Sequence, residues 1–581
     1  MPGVAPKANA ATITVAETLQ LLDGPFSEFA EGVARAEYAL WLGSGISRER
    51  VDDLHVIARR VLIHISDASQ AEGGRGPYTE AVGRAVNMAL TAGERAAVQI
   101  SSPAATWPHL PLIVERLVGR YADLLDIRVN ARSDDYLLWD VVDVRSTYAG
   151  DNLEPDCEHL AVAILALEGI FPAIASANWD GLVEKAIAQL TGGNPDIVAV
   201  CVRADDMRAA ARRSQLYKYH GCAVLAKKDE ARYREYIIGR SSQITDWPHD
   251  PRFAVMKNKL VGLTSTARTL MVGLSAQDSN IQDIFSAGRA MMTWPYPSHP
   301  PAYVFAEDSL GADQEKLLKC VYRDAFTPNQ KAIEAGAKIP AYGKSLLSAL
   351  VLNVLGQKIV ALIGLATAPS LTDTERGKLL SGVIGLRNQL AAGVGSSGAD
   401  KLAFMRSLIA ALTQTLAMFR GDSAALVRDL YGPVGVFPVG QQGADPQLQA
   451  SAMPELAVLL GLLGIGREEE GWTLARPADG PAAGTVVITS SAIRARQKLF
   501  AVADSEVLSR LVLDGVVNED DPNTIVAVCA APAGRFQRSP SAAFGRVADN
   551  PRCREVSIRS LVNVARSAEQ LMARFKEEAV L

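Results

Sequence analysis

The chain is poor in the residues that build covalent or metal-held frameworks. Its 581 residues include six cysteines, Cys157, Cys201, Cys222, Cys320, Cys529 and Cys553, and no two form a Cys-x-x-Cys pair. About one cysteine per hundred residues argues against a disulfide scaffold, and a zinc ribbon lacks its ligands. No excess of positive charge is present: 59 Lys and Arg against 64 Asp and Glu give a formal net charge of −5. Nucleic acid is therefore not an obvious partner for the surface as a whole, although a local basic patch remains open. The stretch from Met1 to Ala11 has one lysine and no apolar centre, which is not the pattern of a signal peptide. The longest apolar run, Leu346 to Ala366, is interrupted by Asn353, Gln357 and Lys358. A lysine at the centre of a membrane helix costs about 2.5–3.5 kcal/mol, so this run reads as a buried core helix. No membrane association and a cytoplasmic, reducing location are the expectation. Internal repeats, low-complexity tracts and a clustered Asp/Glu/Lys nuclease motif are also missing.

What is present is apolar material in quantity. Hydrophobic residues make up 48% and charged residues 21% of the chain, enough for large cores. Domains commonly run about 100–200 residues, which predicts two to four here. After a loose start and a first helix comes Tyr38-Ala-Leu-Trp-Leu42, a short apolar run that stops at Gly43-Ser-Gly-Ile-Ser47. Such a run reads as a buried parallel strand. Residues 48–168 are helical in pattern, with breaks at Gly73–Pro77 and Pro103–Pro111. Further strands are expected at Phe171–Ala177, Ile197–Val202, Leu216–Tyr219, Tyr236–Ile238, Thr269–Val272 and Ala302–Phe305. Strands alternating with helices predict an α/β fold with a parallel sheet. Beyond about residue 310 the pattern becomes helix-rich. Gly440 to Pro446 reads as a linker. Residues 450–581 mix helices with strands at Thr485–Ile488 and Thr524–Val528, closing on a helix from Ile558 to Ala579. The expected division is thus 1–310 with a helical insertion at 48–168, a helix-rich segment 311–440, and a small C-terminal α/β domain 450–581.

Four segments at expected strand ends carry residues capable of chemistry. Gly43-Ser44-Gly45-Ile46-Ser47 sits where a strand turns into a helix. Glycines allow close backbone approach to a phosphate, and a helix start offers free N–H groups and a partial positive charge. The same glycines also occur in tight turns without a ligand. Asn178 and Asp180 follow the second strand, beyond whose carboxyl end ligands bind in open α/β sheets. An Asx turn or a helix cap explains them equally well. His220-Gly221 ends a third segment, and Gly273-Leu-Ser275, with Asp278 and Asn280, ends a fourth. The other histidines, at 55, 64, 109, 159, 249 and 299, stand beside no motif and read as ordinary surface or core residues. Between Arg203 and Arg240, ten Lys and Arg face five Asp and Glu. A solvated helix face is the plain explanation, and attraction of a dinucleotide or nucleic acid is the other.

In this order, Gly-Ser-Gly-Ile-Ser, Asn-x-Asp, His-Gly and Val-Gly-x-Ser, the segments resemble the sirtuin family over about residues 30–310. The resemblance implies a sirtuin-like Rossmann-type sheet with NAD as substrate. Gly43, Ser44, Gly45, Ile46 and Ser47 would face its pyrophosphate, and Gly273, Ser275 and Asp278 would approach its adenosine half. Asn178 would contact the nicotinamide ribose and order a water, His220 would act as general base, and Asp180 would orient the site. Two features depart from the protein deacylases of that family. The two Cys-x-x-Cys zinc pairs are missing, Cys222 being the one cysteine between His220 and Ser275, and Arg48-Glu-Arg-Val-Asp-Asp stands where a proline-containing loop ending in Phe-Arg is usual. With the insertion of about 120 residues, these departures resemble the sirtuin-like NADases of bacterial antiphage defence, which abort infection by depleting NAD. The implied activity is hydrolysis of NAD to nicotinamide and ADP-ribose, with no metal. The alternatives are an NAD-dependent deacylase or ADP-ribosyltransferase, and a nucleotide-sensing or DNA-processing subunit. The resemblance also implies a separate protein partner, and the apolar-patterned chain beyond residue 310 predicts a homo-oligomer larger than a dimer. A HerA-type DNA translocase fits the C-terminal segment better than a short Argonaute.

Overall fold

The computed structural model describes residues 9–96, 98–194, 197–208, 214–291, 294–367, 370–422, 430–477, 480–493, 495–530 and 553–581. Its centre is a parallel sheet of seven strands: β1 (Tyr38–Leu42), β2 (Ala173–Ser176), β3 (Val198–Cys201), β4 (Ser214–Lys218), β5 (Arg268–Val272), β6 (Tyr303–Ala306) and β7 (Lys338–Ile339). The strand order is β3-β4-β2-β1-β5-β6-β7. The chain runs outward from β1 on one side and returns to β5 on the other, so β1 marks the switch point of a doubly wound, Rossmann-like α/β fold. The expected strand at Tyr236–Ile238 is not one. Arg234–Tyr236 forms a 3₁₀ turn, and the Ile238 N–H then bonds the His220 carbonyl at 3.0 Å. This segment is aromatic and β-branched but has no neighbouring strand, so it lies across the His-Gly turn as a strap.

Burial on both faces explains why β1 reads as a continuous apolar run. Tyr38, Leu40 and Leu42 enter one core with the helices Cys157–Leu167 and Gly343–Thr367. Ala39 and Trp41 enter the other, built from the helices of the insertion. Successive side chains of a strand point to opposite faces, and here both faces are covered. The insertion supplies helices Leu54–Ala71, Pro77–Ala89, Leu110–Val118 and Tyr121–Leu125. Its breaks fall at the glycine turn before Pro77 and at Pro103, as their sequence indicates.

The sheet runs past residue 310, because β7 pairs with β6. Helix Gly343–Thr367 then crosses the first core. It is long and apolar enough to cross a membrane, as is Gly398–Arg420. Gly343–Thr367 is a core helix, packed against Val15–Asp23, Cys157–Leu167, Asp373–Ala392 and Met453–Glu469. Its Lys358 is fully buried and bonds the Glu168 carboxylate at 2.7 Å, the Glu168 carbonyl at 2.7 Å and the Gly435 carbonyl at 2.6 Å. The stretch read as a linker is instead a 3₁₀ helix, Val439–Ala444, followed by the helix Pro446–Ala450. The 3₁₀ segment packs on Gly343–Thr367.

A second sheet has the order β12-β11-β10-β9-β8, from β8 (Thr473–Ala475), β9 (Val486–Thr489), β10 (Gln497–Val502), β11 (Thr524–Val528) and β12 (Arg554–Ser557). β10, β11 and β12 run parallel, and β9 and β8 antiparallel. β9 and β11 are the two strands expected from sequence. The closing helix is two helices, Ile558–Val564 and Ala568–Ala579, the second capped by Ser567.

Candidate active site

The four motif segments leave the sheet at one level. Leu42 pairs with Ser176 and with Val272, and Ser176 pairs with Lys218. Asn178 and His220 therefore each stand two residues past neighbouring, in-register strand ends. The Gly43 and Gly273 turns flank them from β1 and β5, at the switch point where open α/β sheets bind ligands.

The two glycine turns are packed into each other. A Cβ on Gly43 would lie 2.3 Å from the Gly273 carbonyl oxygen, and one on Gly45 would lie 2.6 Å from the Gly273 Cα. The glycines are thus required by backbone against backbone, whatever else the site holds. Three N–H groups of this turn are already bonded within the protein. Gly43 N–H donates to the Val272 carbonyl, Gly45 N–H to the Gly273 carbonyl and Ile46 N–H to the Gly43 carbonyl. Ile46 is buried, whereas Ser44 and Ser275 are exposed.

Asn178 and Asp180 divide the two readings between them. The Asp180 Oδ1 accepts the Leu182 N–H at 3.1 Å at the start of helix Leu182–Thr191. Behind it, buried Lys218 donates to the Asp180 carbonyl and to Glu184, the latter at 2.9 Å. Asn178 instead reaches across to the first turn. Its Nδ2 donates to the Gly43 carbonyl at 3.1 Å and lies 3.5 Å from Ser47 Oγ. Its Oδ1 is buried and has no partner among the described residues. An orphaned acceptor of this kind costs about 1–3 kcal/mol, and a substrate hydroxyl or a water satisfies it.

His220 is held tightly. Gly221 turns the chain at φ +92°, where a Cβ would strike the Tyr236 carbonyl oxygen at 2.4 Å. That fixes the His-Gly order. The Asn280 Nδ2 donates to His220 Nε2 at 2.7 Å. Burial lowers the imidazole pKa from its ordinary 6.5, opposed by Asp278. His220 is therefore neutral near pH 7. Asp278 begins helix Ser279–Gly288, and its Oδ1 accepts the Tyr121 hydroxyl at 3.1 Å from the insertion. The Asn280 Oδ1 and the Tyr219 hydroxyl are also buried without partners among the described residues.

Two site residues were missed from sequence. Asn280 lies inside the fourth motif, yet nothing local marks it as the partner of His220. His159 was read as an ordinary histidine, but its Nε2 lies 3.1 Å from Ser47 Oγ. The available signal was Asp156-x-x-His159, a capping box with histidine in the Glu/Gln position. Nearby, potential ligand atoms of Asp156, Cys157 and Glu158 lie within 4.8 Å of one another. The Asp156 carboxylate there is already paired with Arg50 at 3.1 Å and Lys344 at 2.9 Å. The basic stretch is largely paired in the same way: Arg234 with Asp135, Arg240 with Asp126, Lys227 with Asp151 and Lys218 with Glu184.

Residues 172–324 match the family model described as a SIR2-like domain. The match runs from β2 through the helix after β6 and includes Asn178, His220, Gly273 and Asn280, with β1 and its glycine turn upstream. It supports a Sir2-type family, in which NAD is the substrate. No curated protein matches the chain.

Proposed function

We propose that the protein hydrolyses NAD to nicotinamide and ADP-ribose. The observation that carries this reading is the Asn178 amide. Its nitrogen is bound to the protein and its buried Oδ1 has no partner among the described residues, one strand from a neutral histidine. Nicotinamide is a good leaving group because its ring nitrogen is cationic. When the bond from the ribose C1′ to that nitrogen breaks, both electrons go to the pyridine ring and positive charge develops on the sugar. Hydrolysis then needs a water oriented on C1′ and a base for its proton. Asn178 Oδ1 accepts a hydrogen bond from that water or from a ribose hydroxyl. His220 takes the proton at Nε2 once a substrate hydroxyl or the water replaces the Asn280 amide there. The buried surroundings strengthen both interactions relative to water.

The setting that suits such an activity is antiphage defence by abortive infection, in which NAD depletion halts the infected cell. The test is an incubation of the full chain with NAD in the presence and absence of an acyl-lysine peptide. Equal release of nicotinamide and ADP-ribose without the peptide is expected. Nicotinamide release that requires the peptide, with acyl transfer to the ribose, contradicts hydrolysis.

A further inference from the structure

The hydrogen-bond pattern around Ser47 fixes which way the Asn178 amide faces. The chain of bonds starts at Asp156, whose side chain accepts from Arg50, Lys344 and the Cys157 N–H. The Asp156 backbone N–H donates to His159 Nδ1 at 3.0 Å. That nitrogen must therefore present its lone pair, and a neutral imidazole then carries its hydrogen on Nε2. Burial, against the pull of Asp180 and Asp156, lowers the His159 pKa to about 4, with Arg50 and Lys344 adding to the lowering. The Nε2 hydrogen points at Ser47 Oγ, 3.1 Å away. Ser47 Oγ thus accepts from His159, and its remaining lone pair faces the Asn178 Nδ2 at 3.5 Å. With the Gly43 carbonyl at 3.1 Å, two acceptors lie on the same edge of that amide. A flipped amide would set its oxygen against the Gly43 carbonyl, which can only accept.

We infer that His159 is a positioning residue for Asn178, acting through Ser47 Oγ to hold the amide with Oδ1 turned toward the substrate. The inference rests on the hydrolase reading for its consequence and on the bond pattern alone for its geometry. Ser47 then has a role besides facing a pyrophosphate, and His159, over a hundred residues from it in sequence, belongs to the same device.

Two measurements on the full chain test this. In kinetics, Ser47→Ala and His159→Phe are each expected to lower kcat about 10–100-fold, the size of a misplaced catalytic group, with KM changed less than about threefold. The double variant is expected to be no slower than the slower single one, because both act through one bond path. Ser47→Ala removes one oxygen and guards against misfolding of the larger change. Multiplying losses, or losses confined to KM, overturn the inference. Independently of turnover, ¹⁵N-histidine NMR, with His159 assigned by its loss in His159→Phe, is expected to show a neutral Nε2–H tautomer from pH 5 to 8. A titrating His159 or an Nδ1–H tautomer overturns it. A wild type that leaves NAD intact sinks the hydrolase reading instead, and the tautomer then decides the Ser47–Asn178 arrangement by itself.

Discussion

Asn178 and His220 carry the proposed chemistry with different duties, and their substitutions should separate from those of their neighbours. Asn178→Ala and His220→Ala are each expected to lower NAD turnover at least about 100-fold, the lower end of what positioned acid–base groups contribute. Both lie past strand ends, so the thermal midpoint should move little. A folded variant keeping more than about half the wild-type rate removes its assigned role. The pH dependence follows from the depressed His220 pKa. With the pKa below 6.5 the base form dominates at neutral pH, so the rate should change little above neutrality and fall on acidification below 6.5 as the ring protonates. A rate that rises between pH 7 and 8.5 would assign the base to another group. At this scale the placement of short motifs was legible: Asn178 and His220 were expected at strand ends, and both stand two residues past paired strands. It was not legible at His159, whose partner Ser47 is distant in sequence, or at Asn280, whose partner lies on another strand.

The element with the clearest energetic signature is helix Gly343–Thr367. Its apolar run announced a core helix, but the partner of its central lysine could not be read from pattern. Lys358 bonds Glu168 at the end of helix Cys157–Leu167, and Glu168 also accepts the Tyr431 hydroxyl at 2.6 Å and the Val434 N–H at 3.0 Å. This clasp joins three stretches of chain. Removing one member of a buried pair leaves the other charge unpaired and costs about 3–5 kcal/mol. Lys358→Met should therefore shift the denaturant midpoint strongly downward, and adding Glu168→Leu should recover part of the loss. A Lys358→Met midpoint matching wild type would show that the pair contributes nothing. The strand signals were read well where both faces are buried, as in β1 and β11. They misled at Tyr236–Ile238, where β-prone residues have no strand to join. Short β7, β8 and β12 gave too little pattern to see, and β10, although buried on both faces, was not expected either.

On the scale of the molecule, the core that backs β1 continues through Leu350, Val383, Leu462 and Ile525 to Phe575 near the C-terminus. Helix Met453–Glu469 packs against both Gly343–Thr367 and Asp373–Ala392. A chain ended near Gly440 would expose that face, and it should fail to give the cooperative melt of the full chain in circular dichroism. A truncated protein with an unchanged midpoint would make residues 450–581 a separate unit. For control of the activity, we propose a homo-oligomer larger than a dimer, with residues 450–581 meeting a separate partner such as a HerA-type translocase. Closed assemblies are the usual outcome for identical chains. Light scattering is then expected to give a mass of more than twice 62.0 kDa, and a monomer contradicts the proposal. The apolar richness of the chain indicated large cores, yet no local pattern could indicate that segments hundreds of residues apart share one. The central claim is more direct to test. The full chain, alone and with the proposed partner, is incubated with NAD, and the products are resolved by chromatography beside the Asn178→Ala variant. The account predicts nicotinamide and ADP-ribose in equal amounts from the wild type and almost none from the variant. Intact NAD in every wild-type sample, or equal cleavage by Asn178→Ala, would contradict it.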